Sequence, residues 1–122
     1  MPQLVWVADA AGEIEYFNER WFAYTGLTVD EVRAAGTKNV VHPEDLAETW
    51  ERWKRALETG EPYEIEYRLR SAADSTYRWF VARAMPVRAQ GGEITHWIGS
   101  ATDIDAQRRA ADNLRFVIEA AG

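Results

Sequence analysis

Tyr63-Glu64-Ile65-Glu66-Tyr67-Arg68-Leu69-Arg70 opens the stretch that decides the fold, residues 61–103. Apolar and charged side chains alternate through it. That period of two puts Ile65, Tyr67 and Leu69 on one face of a strand and Glu64, Glu66, Arg68 and Arg70 on the other. A second run, residues 77–88, is rich in aromatic and aliphatic side chains and is expected to stop near Pro86, which has no N–H for a ladder. Gly91-Gly92 then turns the chain into a third run, residues 94–103. Three antiparallel strands have a face that needs covering, and the rest of the chain must supply the cover.

Upstream, Leu4-Val5-Trp6-Val7-Ala8 reads as a strand, and residues 14–17 as its hairpin partner across Ala10-Ala11-Gly12. Asn18 suits the N-cap of a short helix carrying Trp21, Phe22 and Tyr24, with Gly26 as its stop. Thr28-Val29-Asp30-Glu31 has capping-box spacing and starts a further turn or two of helix ending by Gly36. Residues 37–41 show no period and read as a loop over the sheet. His42-Pro43-Glu44-Asp45 is a helix start, with proline at the first position and acids in the first turn, where they favour the dipole. Leu46, Trp50, Trp53 and Leu57 then form one apolar stripe on a helix ending at Gly60. After the strands, Asp105 can cap an exit helix with Ala110, Leu114, Val117 and Ala121 along one side. The expected class is α+β, a five-stranded antiparallel sheet with short helices on one face and a C-terminal exit helix.

At 122 residues the chain has room for one domain with a single core. No apolar run approaches the roughly 20 residues that span a bilayer, and the start does not resemble a signal peptide. The reading is a soluble chain without direct membrane contact. Zero cysteines exclude disulfides, thiolate metal sites and thiol catalysis, and fit a cytoplasmic setting. A net charge of −6 without a basic stripe argues against nucleic acid as a partner. The six tryptophans are read as fillers of the core and sheet faces.

Catalysis needs a poised nucleophile, a base or metal ligands at usable spacing. The only histidines, His42 and His96, lie far apart with no local metal-binding motif. His42 reads as a helix-entry residue that packs or caps. His96 is placed on the strand face opposite Trp97. No catalytic and no metal residues are assigned. The charged face of residues 64–70 reads as solvated, with cross-strand ion pairs.

Three groups of residues resemble a PAS (Per-Arnt-Sim) domain of the kind common in bacterial sensor histidine kinases. Asn18 through Thr25-Gly26-Leu27 is similar to the family's short helix ending in Thr-Gly. His42-Pro43-Glu44-Asp45 resembles the His-Pro-x-Asp that opens its connecting helix. Glu66-Tyr67-Arg68-Leu69-Arg70, Tyr77-Arg78-Trp79, Pro86-Val87-Arg88 and Asp103-Ile104 resemble its last three strands. The resemblance runs from Leu4 to Ile104, nearly the whole chain. There are departures. The hairpin Ser71-Ala72-Ala73-Asp74-Ser75-Thr76 lacks the usual Asp-Gly, so a non-glycine residue is expected at positive φ. Residues 36–41 are shorter than usual and lack a tryptophan, and Asp105 stands where threonine often follows Asp-Ile.

The resemblance implies a sensory and dimerisation module without catalysis of its own, relaying a signal to an output such as a histidine kinase. It implies a division into a PAS core at 1–104 and a linker or signalling helix at 105–122. Residues 113–122 resemble the opening of a second repeat, and Met1 directly before the first strand points to an artificial start. The expected partners are a second copy of the chain and a neighbouring PAS or kinase domain. The alternative is a receptor for a small molecule or a cofactor, haem or flavin, held in an internal pocket. Without a cysteine the photochemical adduct of light-sensing relatives is excluded, and neither histidine has a haem-supporting motif, so no cofactor is expected.

The family pattern turns Trp97, Gly99 and Ala101 inward, with Phe80, Ala82 and Ala84 beside them. Trp6, Trp50 and Trp53 line the other side. Candidate pocket residues are therefore Trp6, Trp50, Trp53, Tyr67, Phe80, Ala82, Trp97, Gly99 and Ala101. A filled or nearly filled core is expected, because bulky side chains outnumber small ones. The outer face, with Trp79, Val81 and Ile98, joins Ala110, Leu114 and Val117 of the exit helix as the candidate dimer face.

Overall fold

A computed structural model describes residues 3–121, and the expectations that involve Met1 and Gly122 lie outside them. The strands are β1 (Gln3–Asp9), β2 (Ile14–Phe17), β3 (Tyr63–Arg70), β4 (Tyr77–Arg88) and β5 (Ile94–Asp103). The helices are α1 (Glu19–Thr25), α2 (Val29–Ala35), α3 (Leu46–Thr59) and α4 (Asp105–Ala121), and a 3-10 turn, Pro43–Asp45, leads into α3. All pairings are antiparallel, in the order β2-β1-β5-β4-β3. This is the α+β architecture expected. The earliest strand lies beside the last, so the chain's two ends of the sheet meet at its centre.

Local chemistry explains the starts and stops. The Asn18 side-chain oxygen accepts from the N–H groups of both Trp21 and Val5, and its amide donates to the Gln3 carbonyl. One residue therefore caps α1 and ties it to β1. Thr28 and Glu31 close the capping box of α2. His42 Nδ1 accepts from the Glu44 N–H at 3.1 Å, the entry role read from its position. Residues 37–41 are more than a loop over the sheet. Val40 and Val41 are buried, the Arg70 N–H donates to the Val40 carbonyl, and Val41 bridges Leu69. They cover the edge of β3 and its open hydrogen-bonding groups.

Two sequence expectations need correction. β4 does not stop near Pro86 but continues through it to Arg88. The last β3 partner is Tyr63, opposite Ala84, so Pro86 sits where β4 has an open edge on that side and an absent N–H is tolerated. On α3, Trp50 is 61% exposed, whereas Thr49, Trp53 and Ala56 turn toward the sheet. Leu46, Trp53 and Leu57 pack against the core as the stripe requires, and Trp50 alone falls on its flank.

The β3–β4 hairpin does place a non-glycine residue at positive φ: Ser75, at 59°. The Asp74 carboxylate accepts from the N–H and hydroxyl of Thr76 and holds the turn. An L-residue in this region costs about 1–2 kcal/mol, and glycine's extra unfolded freedom returns about half of that. Ser75→Gly is therefore expected to stabilise the domain by about 0.5–1 kcal/mol. A denaturation midpoint at or below the parent's would show that the turn carries no strain.

Candidate functional site

Beside the packed core a cleft of about 590 Å³ opens between β1, β2, α2, α3 and β3. Trp6 sets its floor. On β1 it faces Gly99 of β5, where an added Cβ would come within 2.1 Å of the Trp6 ring, so glycine is what lets the indole lie flat on the sheet. Trp53 of α3 meets Trp6 edge-on at 5.3 Å and also packs against Tyr63 and Trp97. Phe17 and Trp21, stacked at 3.8 Å, form a side wall. Tyr67 lines the cleft from β3, and burial pushes its phenol, like that of Tyr63, above the usual range, so both stay neutral hydroxyls. Thr49 also lines it, and its Oγ1 is buried without a hydrogen-bond partner. At the rim stand exposed Glu13, Arg33, Lys38 and Trp50.

A second cluster fastens α4 to the sheet. Arg78 Nε donates to Asp103 at 2.8 Å, and the Ile104 N–H donates to the Trp79 carbonyl. Asp105 is only 3% exposed. It accepts from the Trp79 N–H at 3.0 Å and from Arg109 Nε at 2.6 Å. Burial raises the Asp105 carboxyl, but the Arg109 and Trp79 hydrogen bonds and the charges of Arg109 and Arg78 outweigh it and hold it below the usual value. The sequence assigns the helix cap to Asp105. In the structure the Asp103 carboxylate accepts the Asp105 N–H at the start of α4, while the Asp105 side chain turns to the sheet. Arg108 stacks on Trp79, 3.7 Å from the ring centroid, and pairs with Glu66. Arg68 lies against the same ring at 4.8 Å.

Residues 14–101, most of the sheet and all of the cleft's walls from β2 onward, match the PAS fold family. The chain belongs to that family. It is 40% identical over 114 residues to an uncharacterized protein, y4lL, of Sinorhizobium fredii (strain NBRC 101917 / NGR234), a match covering 93% of this chain and 14% of that protein. It is 32% identical over 116 residues to the peroxide stress-activated histidine kinase mak1 of Schizosaccharomyces pombe (strain 972 / ATCC 24843), covering 94% and 7%. The chain thus spans a small part of the curated relatives it matches. Among solved structures, a sensory box histidine kinase/response regulator from Burkholderia thailandensis E264 shares the fold, with a TM-score of 0.72 and 24% identity over 98% of this chain and 89% of that one.

In this PAS domain the nine candidate pocket residues divide. Trp6, Trp50, Trp53 and Tyr67 line the cleft, with Trp50 at its rim. Phe80, Ala82, Trp97, Gly99 and Ala101 do not: all are buried, with Gly99 under the Trp6 ring, Trp97 against Trp53 and Phe80 against Tyr24. The side chains under the sheet centre are close-packed, and the cleft opens beside them. Phe17, Trp21, Thr49 and Tyr63 were not among the candidates. Tyr63 shares the parity of Ile65 and Tyr67, a signal present in the sequence.

On the outer face Trp79 and Val81 are half-buried, with Arg68 and Arg108 lying against the Trp79 ring. The open apolar surface lies further along, where Tyr16, Val7, Ile98 and Met85 pair in one row across four strands. Ile98 is 52% exposed. Ala110, Leu114 and Val117 are exposed along α4. Among the described residues no helix is long and apolar enough to cross a membrane.

Proposed function

We propose that this PAS domain is a noncatalytic sensory and dimerisation module, in which residues 1–104 sense and residues 105–122 relay to a downstream output such as a histidine kinase. The observation that carries the reading is the buried Asp105, which locks the first turn of α4 to β4 while the rest of the helix leaves its apolar side uncovered. A shift of β4 against β5 must then move α4. A second copy covers the Tyr16–Val7–Ile98–Met85 row, the α4 seam, or both, as a parallel dimer. The kinase relative, mak1, supports an output of that class.

Sedimentation equilibrium tests the dimer on the parent chain and on Ile98→Glu and Leu114→Glu variants. Self-association in the micromolar range is expected, weakened about tenfold or more by a charge placed in the interface. A parent chain that stays monomeric at high micromolar concentration overturns it. Hydrogen exchange tests the relay: Asp105→Ala is expected to speed exchange in α4 while leaving β1 and β5 protected. Unchanged α4 protection removes Asp105 as the coupling residue.

A further inference from the structure

We propose that the thioether of Met85 is a site of oxidation by hydroperoxides, and that the sulfoxide it becomes separates the dimer. This rests on the dimerisation reading above and supplies a class of molecule that acts on it.

Met85 is 59% exposed and stands in the open row beside Ile98, its partner on β5. On its other side the ladder has run out. β3 pairs no further along β4 than Ala84, so the side chain is open to an oxidant from the sheet face and from this edge. Its outward neighbours along β4 are Arg83 and Val87, and the Arg83 guanidinium is paired with Glu64. The row itself, Tyr16, Val7, Ile98 and Met85, holds no charged side chain. The chain has no cysteine, and its other methionine is Met1, so Met85 carries the one sulfur among the described residues.

The reaction is a two-electron transfer of oxygen. A sulfur lone pair attacks the terminal peroxide oxygen and the O–O bond breaks. The second oxygen takes the proton of the first and leaves as water or an alcohol. Sulfur is oxidised to the sulfoxide and the peroxide is reduced. A flexible apolar side chain thereby acquires a strong dipole and a hydrogen-bond acceptor. In the monomer, water satisfies that acceptor, and the fold is undisturbed because the side chain stands mostly outside the core. In the dimer the acceptor loses that water and gains no charged donor from the row. A buried polar group without a partner weakens association about tenfold or more, and two-fold symmetry places two in each dimer.

Treatment of the intact chain with hydrogen peroxide, followed by peptide mass spectrometry and sedimentation equilibrium, tests each step. One added oxygen is expected on Met85 at low micromolar chain concentration. Its formation is expected to slow severalfold at high micromolar concentration, where the dimer covers the row. The oxidised chain is expected to keep its circular dichroism and to dimerise about tenfold more weakly, or worse. Met85→Leu, of similar volume, is expected to dimerise like the parent and to be insensitive to peroxide. Met85→Gln, polar from the start, is expected to weaken the dimer without peroxide. Failure of Met85 to oxidise, oxidation at a rate independent of chain concentration, or equal peroxide sensitivity in Met85→Leu overturns the inference. A parent chain that dimerises whatever the state of Met85 sinks this inference alone, whereas one that never dimerises sinks the dimer reading with it.

Discussion

Trp97→Ala is expected to lower the unfolding free energy by about 3–5 kcal/mol, the range for deleting a large buried aromatic. Trp97 has no exposed surface, lies on the central strand β5, and packs edge-on against Trp53 of α3 at 5.4 Å. Its neighbours cannot collapse into the gap, because Ala8 and Pro86 flank it on the paired strands and are fixed by the sheet. Its Nε1 is buried without a partner, so part of the loss is offset by removing an unsatisfied donor. Urea denaturation measures the result. An unchanged midpoint would mean that α3 re-packs onto β5 at no cost.

Gly99→Ala has the second-largest expected effect, about 2–3 kcal/mol, although it adds a single methyl group. That methyl would sit 2.1–2.6 Å from three atoms of the Trp6 ring, and backbone on both strands prevents either side from yielding. Trp6 must therefore lift off the sheet and take its contact with Trp53 with it. The two positions should be strongly coupled. In a Trp6→Leu background the same alanine is expected to be nearly neutral, a coupling of about 1–3 kcal/mol. Additive effects in a double-mutant cycle would show that the close approach is not what requires glycine.

Much of the fold is written locally. The alternation in residues 63–70, the Asn18 cap, the Thr28 capping box and the Pro43 helix entry each act within a few residues, so each was readable and each lies where the periodicity puts it. What was illegible depends on distant neighbours. Pro86 is tolerated inside β4 because β3 ends two residues short of it, a matter of register. Asp105 anchors α4 to the sheet instead of serving only as its cap, because Trp79 presents an N–H that only the folded sheet positions. Trp50 looked like one more member of a helical stripe, and only the packing angle of α3 turned it to solvent. The cleft is lined by Phe17 and Trp21 on one side and by α3 on another, and no count of bulky residues reports that.

The pairing of β1 with β5 carries a mechanical consequence. Gln3 lies opposite Thr102, so the chain enters and leaves the sheet at the same end of one ladder. Tension applied between those two points loads the rungs one after another, as in opening a zipper, rather than all together as in shear. β1 therefore peels from the end nearest the pull, and Trp6 is lifted from Gly99 only after the Leu4 and Val5 rungs have given way. A domain strung between neighbours in this way yields readily to tension, and its first extended state is one in which the cleft has lost its floor.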